Sequence, residues 1–313
     1  MAHQHHGHSH GHSHGHDHGG SESARIGFAF WLNFSFSIIE FIGGFLTNSV
    51  AIMSDAVHDL GDSLAIGFGW LASRAAKREP DAAYTYGYRR LSLLSAALNG
   101  LILTGGSLWI ISEAVPRLWE PQLPHTGGMF GLAVLGVAVN GAAALRLRGG
   151  GTANEKMLSW HLLEDTFGWL AVLIASIAIH FTGWAILDPL LSIGFTLVIL
   201  YNVARNLRGT VQLFLQVSPD RALTERLRQT LEELPGVRSS HHLHLWSLDG
   251  QHHVLTAHLE LDSHLALADQ VALKREIHQR LEQFELAHTT IEFEFPEECC
   301  RDQAEERNHQ HAH

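Results

Sequence analysis

A chain of 313 residues that is 46% hydrophobic and only 17% charged falls well short of the roughly 25% charged residues of a soluble domain. Its formal net charge of −11 argues against a nucleic-acid partner. The two cysteines, adjacent at Cys299 and Cys300, exclude a disulfide framework and suit a reducing compartment, where thiols beside acids and histidines offer soft-metal ligands.

The chain opens on nine histidines within residues 3–18, spaced by Gly and Ser. With nothing apolar to bury, residues 1–22 are expected to be a disordered, cytoplasmic, metal-gathering tail rather than a tag. It has none of the charged start, short apolar core and cleavage site of a signal peptide. Six apolar stretches follow, each near the ~20 residues that cross a bilayer: 26–46, 50–73, 91–115, 128–147, 157–181 and 184–204. Arg74, Lys77, Arg78, Arg89 and Arg90 lie between the second and third, and Arg146, Arg148 and Lys156 between the fourth and fifth. Arg205 and Arg208 follow the sixth, whereas the opposite links carry only Arg117. The positive-inside rule places both termini in the cytoplasm. Trp119, Trp160 and Trp184 sit near span ends, as interfacial anchors do.

From Ser218 the pattern changes. The sequence predicts a helix over 220–234 closed by Pro235-Gly236, strands over 237–248 and 251–261 joined at Asp249-Gly250, a helix over 265–284, and a strand over 288–295. The expected fold is a six-helix α-helical membrane domain (23–210), then a small α+β, ferredoxin-like cytoplasmic domain of order α-β-β-α-β (211–296) with its helices on one sheet face. An acidic tail, 297–313, ends in His309, His311 and His313.

Two spans carry the same unusual spacing: His58 with Asp62, and His161 with Asp165. Residues four apart on a helix share a face, about 40° beyond one full turn. Ionisable groups at membrane depth cost roughly 2.5–3.5 kcal/mol each on insertion scales, so two such pairs imply a function. Two imidazoles and two carboxylates form a donor set that completes a tetrahedral Zn²⁺ shell, tolerates Co²⁺ and does not suit a six-oxygen ion such as Mg²⁺. Asp55 lies on the stripe of His58 and Asp62, as a relay or a packing residue; Asp59 points about 100° away from His58, towards another helix or the pore wall. Glu40, Asn33, Asn99, Asn140 and Asp188 read as interhelical hydrogen-bonding groups.

These motifs resemble those of the cation diffusion facilitators, and in particular the bacterial zinc/cobalt/cadmium-resistance branch, which is similar to the vesicular zinc transporters. The resemblance covers most of residues 22–296. It rests on Thr47-Asn48-Ser49-Val50-Ala51, on Ser54-Asp55-Ala56-Val57-His58-Asp59-Leu60-Gly61-Asp62, on Tyr86-Gly87-Tyr88-Arg89-Arg90, on His161-Leu162-Leu163-Glu164-Asp165 and on His242-Leu243-His244-Leu245-Trp246. It implies a homodimeric, proton-coupled antiporter exporting Zn²⁺, or Cd²⁺ or Co²⁺, from the cytoplasm across a bacterial inner membrane. His58, Asp62, His161 and Asp165 would form the transport site.

The resemblance also implies a regulatory metal site in the cytoplasmic domain, with His244, His258 and Glu294 as ligands, His288 as a further candidate, and Cys299 and Cys300 closing it. Two family features are missing: the 81–90 loop has no histidine, and 146–156 is a short Arg/Gly loop without a histidine-rich insert. Two other classes compete with a transporter. An intramembrane metallohydrolase needs an open coordination position and a general base; no His-Glu-x-x-His motif occurs, and Glu164 points off the ligand face. A membrane-anchored metal sensor or scaffold would not need histidines and aspartates at mid-span.

Overall fold

In the computed structural model the backbone is described over residues 19–147 and 153–298 and at Cys300, with side chains from Phe30 onward except Leu32 and 146–158. The histidine tail of 3–18, residues 148–152, Cys299 and the closing tail with His309, His311 and His313 lie outside the described residues. The chain divides into two compact units, one formed by residues up to Leu71 with Ile102–Leu200, the other by Ala72–Leu101 with the chain from Tyr201 on.

The first part of the chain is helical: α1 (Gly19–Thr47), α2 (Val50–Ala76), α3 (Leu91–Ala114), a short α4 (Pro116–Trp119), α5 (Thr126–Leu147), α6 (Ala153–Thr182) and α7 (Leu187–Phe214). Each of the six predicted spans falls on one of the long helices. Among the described residues, four stretches are long and apolar enough to cross a membrane: Leu91–Trp119, Thr126–Leu145, Ser159–Thr182 and Leu187–Phe214. His58, Asp55, Asp59 and Asp62 lower the hydropathy of α2, and among the described residues α1 shows a shorter apolar helix, Asn33–Thr47. The sequence pattern missed α4, where Pro116 occupies the first turn and needs no amide partner. It also ended the last span at 204, short of Phe214.

Within the first unit, Ala51, Ile52, Met129, Ala133, Trp169, Val172 and Ile179 form the buried core between α2, α5 and α6. Gly136 is required there, because a Cβ would overlap the Trp169 ring. The Thr47-Asn48-Ser49 turn has a specific construction. Asn48 takes the left-handed conformation, φ 55°, at which α1 ends. Arg117 Nη1 donates to the Asn48 carbonyl at 3.0 Å. Buried Asp188 of α7 then caps α2, accepting from the Ser49 hydroxyl at 2.5 Å, the Val50 amide at 2.8 Å and the Ala51 amide at 3.3 Å. Two orphan amides at the start of α2, together with the Ser49 hydroxyl, are thereby satisfied from another helix.

In the second unit, α8 (Arg221–Glu232), β1 (Val237–Ser247), β2 (His253–Leu261), α9 (Leu267–Glu282) and β3 (Leu286–Glu294) follow the predicted order, with ends shifted by a few residues. Asp220 caps α8 by accepting from the Ala222 amide. The sheet order is β1-β2-β3, antiparallel then parallel, with α9 as the crossover. Leu227 and Leu231 of α8 and Leu273, Ile277 and Leu281 of α9 pack on Leu245, Leu255, Ala257, Leu259 and Leu261. Each such burial is worth about 1.5–3 kcal/mol, so this part of the chain has a core of its own.

Candidate metal centres

The first constellation stands on α2 and α6. His58 and Asp62 share one face of α2, and His161 and Asp165 the facing turns of α6. His161 Nε2 lies 2.8 Å from Asp62 Oδ2, while the i,i+4 pairs His58–Asp62 and His161–Asp165 are each at 3.8 Å. The two imidazole rings meet edge to face with centroids 6.0 Å apart. Donor atoms of His58, His161 and Asp165 all fall within 4.8 Å of one another. Zinc–ligand bonds of ~2.0–2.2 Å put tetrahedral donors ~3.3–3.5 Å apart, a spacing that these four side chains could reach by small adjustments. His58 Nδ1 is shielded without a hydrogen-bond partner. The four side chains are 11–38% exposed, which leaves an ion access to them. Glu164 is exposed, away from this face.

Polar contacts from neighbouring helices brace α2 beside this cluster. Asn33 Nδ2 donates to the Asp59 carbonyl at 3.3 Å and to Ser63 Oγ at 3.1 Å, joining α1 to α2. Ser54 and Thr196 share a hydrogen bond of 2.9 Å between α2 and α7. Gly61 lets α3 approach beside the ligands, since a Cβ would meet Leu103. Asp55 and Asp59 gather with Glu40 of α1, their carboxylate oxygens within 4.8 Å of one another.

The second constellation lies on the face of the sheet opposite the helices. His241, His258, Glu294 and Cys300 bring donor atoms within 4.8 Å of one another. Glu294 carboxylate oxygens lie 3.0 Å from His241 Nε2 and 2.7 Å from His258 Nδ1, and Cys300 Sγ is 3.6 Å from His258 Nδ1. Burial pushes the Glu294 carboxyl up, but hydrogen bonds from Cys300 and His258 and the nearby His241 outweigh it and hold it below the ordinary glutamate value. Two nitrogens, an oxygen and a sulfur make a donor set for a borderline-soft divalent ion.

Here the sequence expectation and the structure part. His244 stands opposite Thr256 and lines a separate cleft with Gln216, Ser218, Thr224 and Trp246. His288 stands opposite Val254, its ring edge-to-face with Tyr86 at 5.5 Å. The residue that sequence reasoning overlooked is His241. Strict alternation puts 242 and 244 on one face and 241 on the other. His242 has φ 46° and the β1–β2 register slips between His241 and His244, a bulge that turns His241 to the side of His258. The only signal was three histidines within four residues, a run no regular strand can point one way.

A chain built this way, with apolar helices that carry paired metal-type ligands ahead of a small ligand-bearing α+β domain, has the make-up of a membrane cation carrier. The family model of the cation efflux transmembrane domain matches residues 26–215, and that of the cation efflux cytoplasmic domain matches 219–295. The chain belongs to the cation efflux family, the cation diffusion facilitators, and is a secondary transporter of the membrane rather than an enzyme. Among its relatives is a cadmium, cobalt and zinc/H(+)-K(+) antiporter of Bacillus velezensis, 31% identical over 93% of this chain and 97% of its own. The zinc transporter ZitB of Escherichia coli is 32% identical over 88% of each chain. The metal cation efflux system protein CzcD of Cupriavidus metallidurans is 33% identical over 88% of this chain and 87% of its own.

Proposed function

We propose that the protein exports Zn²⁺ from the cytoplasm by alternating access, in exchange for protons, with His58, Asp62, His161 and Asp165 as the transport site. The observation that carries this reading is the His161–Asp62 contact of 2.8 Å, which joins the ligand pairs of α2 and α6 into one N₂O₂ cluster. Imidazole binds metal only when neutral, so loading releases protons and protonation on the far side helps expel the ion. A fixed site with two helix packings around it is all that such a carrier requires. Cd²⁺ and Co²⁺ are further cargo by the names of the relatives. His241, His258, Glu294 and Cys300 would hold a regulatory zinc, a reading supported by the common reach of their donor atoms. The working unit is a homodimer of a bacterial inner membrane with both termini cytoplasmic, a reading supported by the arginine-rich links, the bacterial relatives and the match of the cytoplasmic domain.

The test is zinc uptake into proteoliposomes under an imposed pH gradient, comparing the intact chain with Asp165→Ala. Gradient-driven uptake that the substitution abolishes is the expected result. Uptake absent from both, with zinc still bound at the cytoplasmic cluster, would replace the transporter by a membrane-anchored sensor.

A further inference from the structure

Beside the N₂O₂ cluster lies a group of different chemistry. Glu40 of α1 is 1% exposed and faces Asp55 and Asp59 of α2, of which Asp59 is 6% exposed. One carboxylate oxygen from each falls within 4.8 Å of the others. Asp55 and Asp59 are four apart and share a stripe, while Asp59 is rotated about 100° from His58. Asp55 lies on the stripe of His58 and Asp62, so the carboxylate group adjoins the ligand face of α2 at Asp55 and turns towards α1 at Asp59. Beyond the contact between Glu40 and Asp59, neither Glu40 oxygen nor Asp55 Oδ2 has a hydrogen-bond partner, and all three atoms are shielded. None of the ion pairs among the described residues involves Glu40, Asp55 or Asp59. Asp55 also borders α6, where a Cβ on Gly168 would sit 3.7 Å from its Oδ1.

Shielded carboxylates without a counter-charge are costly at membrane depth, and a donor set with no nitrogen or sulfur discriminates against zinc-like ions. Oxygen-only clusters are the coordination preference of hard cations. We propose that Glu40, Asp55 and Asp59 form a second intramembrane cation site, one that takes a hard, oxygen-seeking alkali or alkaline-earth ion. It neighbours the cargo site on the same helix yet selects the opposite chemistry. The inference rests on the transport reading above, because it assigns His58, Asp62, His161 and Asp165 to the cargo.

The experiment uses the purified full-length chain, stripped with chelator and dialysed at fixed pH against K⁺, Na⁺, Mg²⁺ or Ca²⁺ in turn, each with limiting zinc, before elemental analysis. The intact protein is expected to retain about one hard cation per chain from at least one of these baths. Glu40→Gln should cut that content at least tenfold while leaving zinc unchanged, and Asp55→Asn should do the same if Glu40→Gln does not fold. Asp165→Ala should lose zinc from the transport site and keep the hard cation. The proposal is overturned if the intact chain retains none of the four ions, or if hard-cation content survives both carboxyl substitutions. Failure of the transport reading shows separately, as zinc transport that persists in Asp165→Ala.

Discussion

At the scale of single residues, the cytoplasmic cluster turns on one backbone dihedral. Because His242 sits at φ 46°, His241 rather than His244 joins His258, Glu294 and Cys300. In an Asp165→Ala background, which silences the transport site, His241→Ala should weaken zinc binding at the cluster. The loss should be at least the roughly 10–100-fold that removal of an outer-shell partner costs, whereas His244→Ala leaves it unchanged. Titration of the purified protein with zinc reads both; equal effects would put the ligands back where regular alternation had them. His258 and Glu294, expected from the resemblance, share a face because the β2–β3 register runs without a shift from Val254 and His288 to Glu260 and Glu294. His241 was not legible, since a bulge adds a residue that no local pattern announces. On α2 and α6 the helical period of the ligand pairs was legible at once, but that His161 reaches Asp62 sooner than Asp165 depends on how two helices pack, which spacing within either helix does not encode.

At the scale of elements, local chemistry sets where structure starts and turns. The β1–β2 connection is held by Asp249, whose Oδ1 accepts from the amides of Gln251 at 3.0 Å and His252 at 2.9 Å, while Oδ2 meets His252 Nδ1 at 2.7 Å. Partial burial pushes this carboxyl up, yet those bonds prevail and its pKa falls below the ordinary aspartate value. A depressed folded-state pKa stabilises the fold above the unfolded value of about 3.9, and that contribution fades as pH drops through the folded value. Asp249→Ala should therefore cost about 1 kcal/mol at neutral pH, with the gap to the parent closing in acid. Thermal unfolding of both chains across pH 3–7 (roughly the span of carboxylate titration) decides it, and a gap independent of pH would assign the loss to something other than the carboxylate. Asp-Gly between alternating runs made this turn readable in advance. The long helices were equally readable from hydropathy, whereas α4 was not, since four residues carry no period.

At the scale of the whole molecule, the chain's organisation follows from composition: apolar helices with few charges first, a ligand-bearing α+β part after. What composition could not supply is where movement is permitted. The carboxylate of Asp188 gathers the hydroxyl of Ser49 and the first amides of α2, and Arg117 ties the preceding carbonyl beside it. α2 is about 40 Å long, and the Asp188 cap holds its first turn. A rod pinned at one tip swings most at the other. With Cys299 and Cys300 replaced by serine, spin labels at Gln122→Cys and Trp184→Cys, near the pinned end, should keep their separation when zinc is added. Labels at Leu71→Cys and Trp160→Cys should change theirs, and equal displacement at both pairs would rule the pin out. Where the far pair alone moves, Asp188 is the carrier's fulcrum, a carboxylate that holds the start of α2 and takes no part in holding the ion.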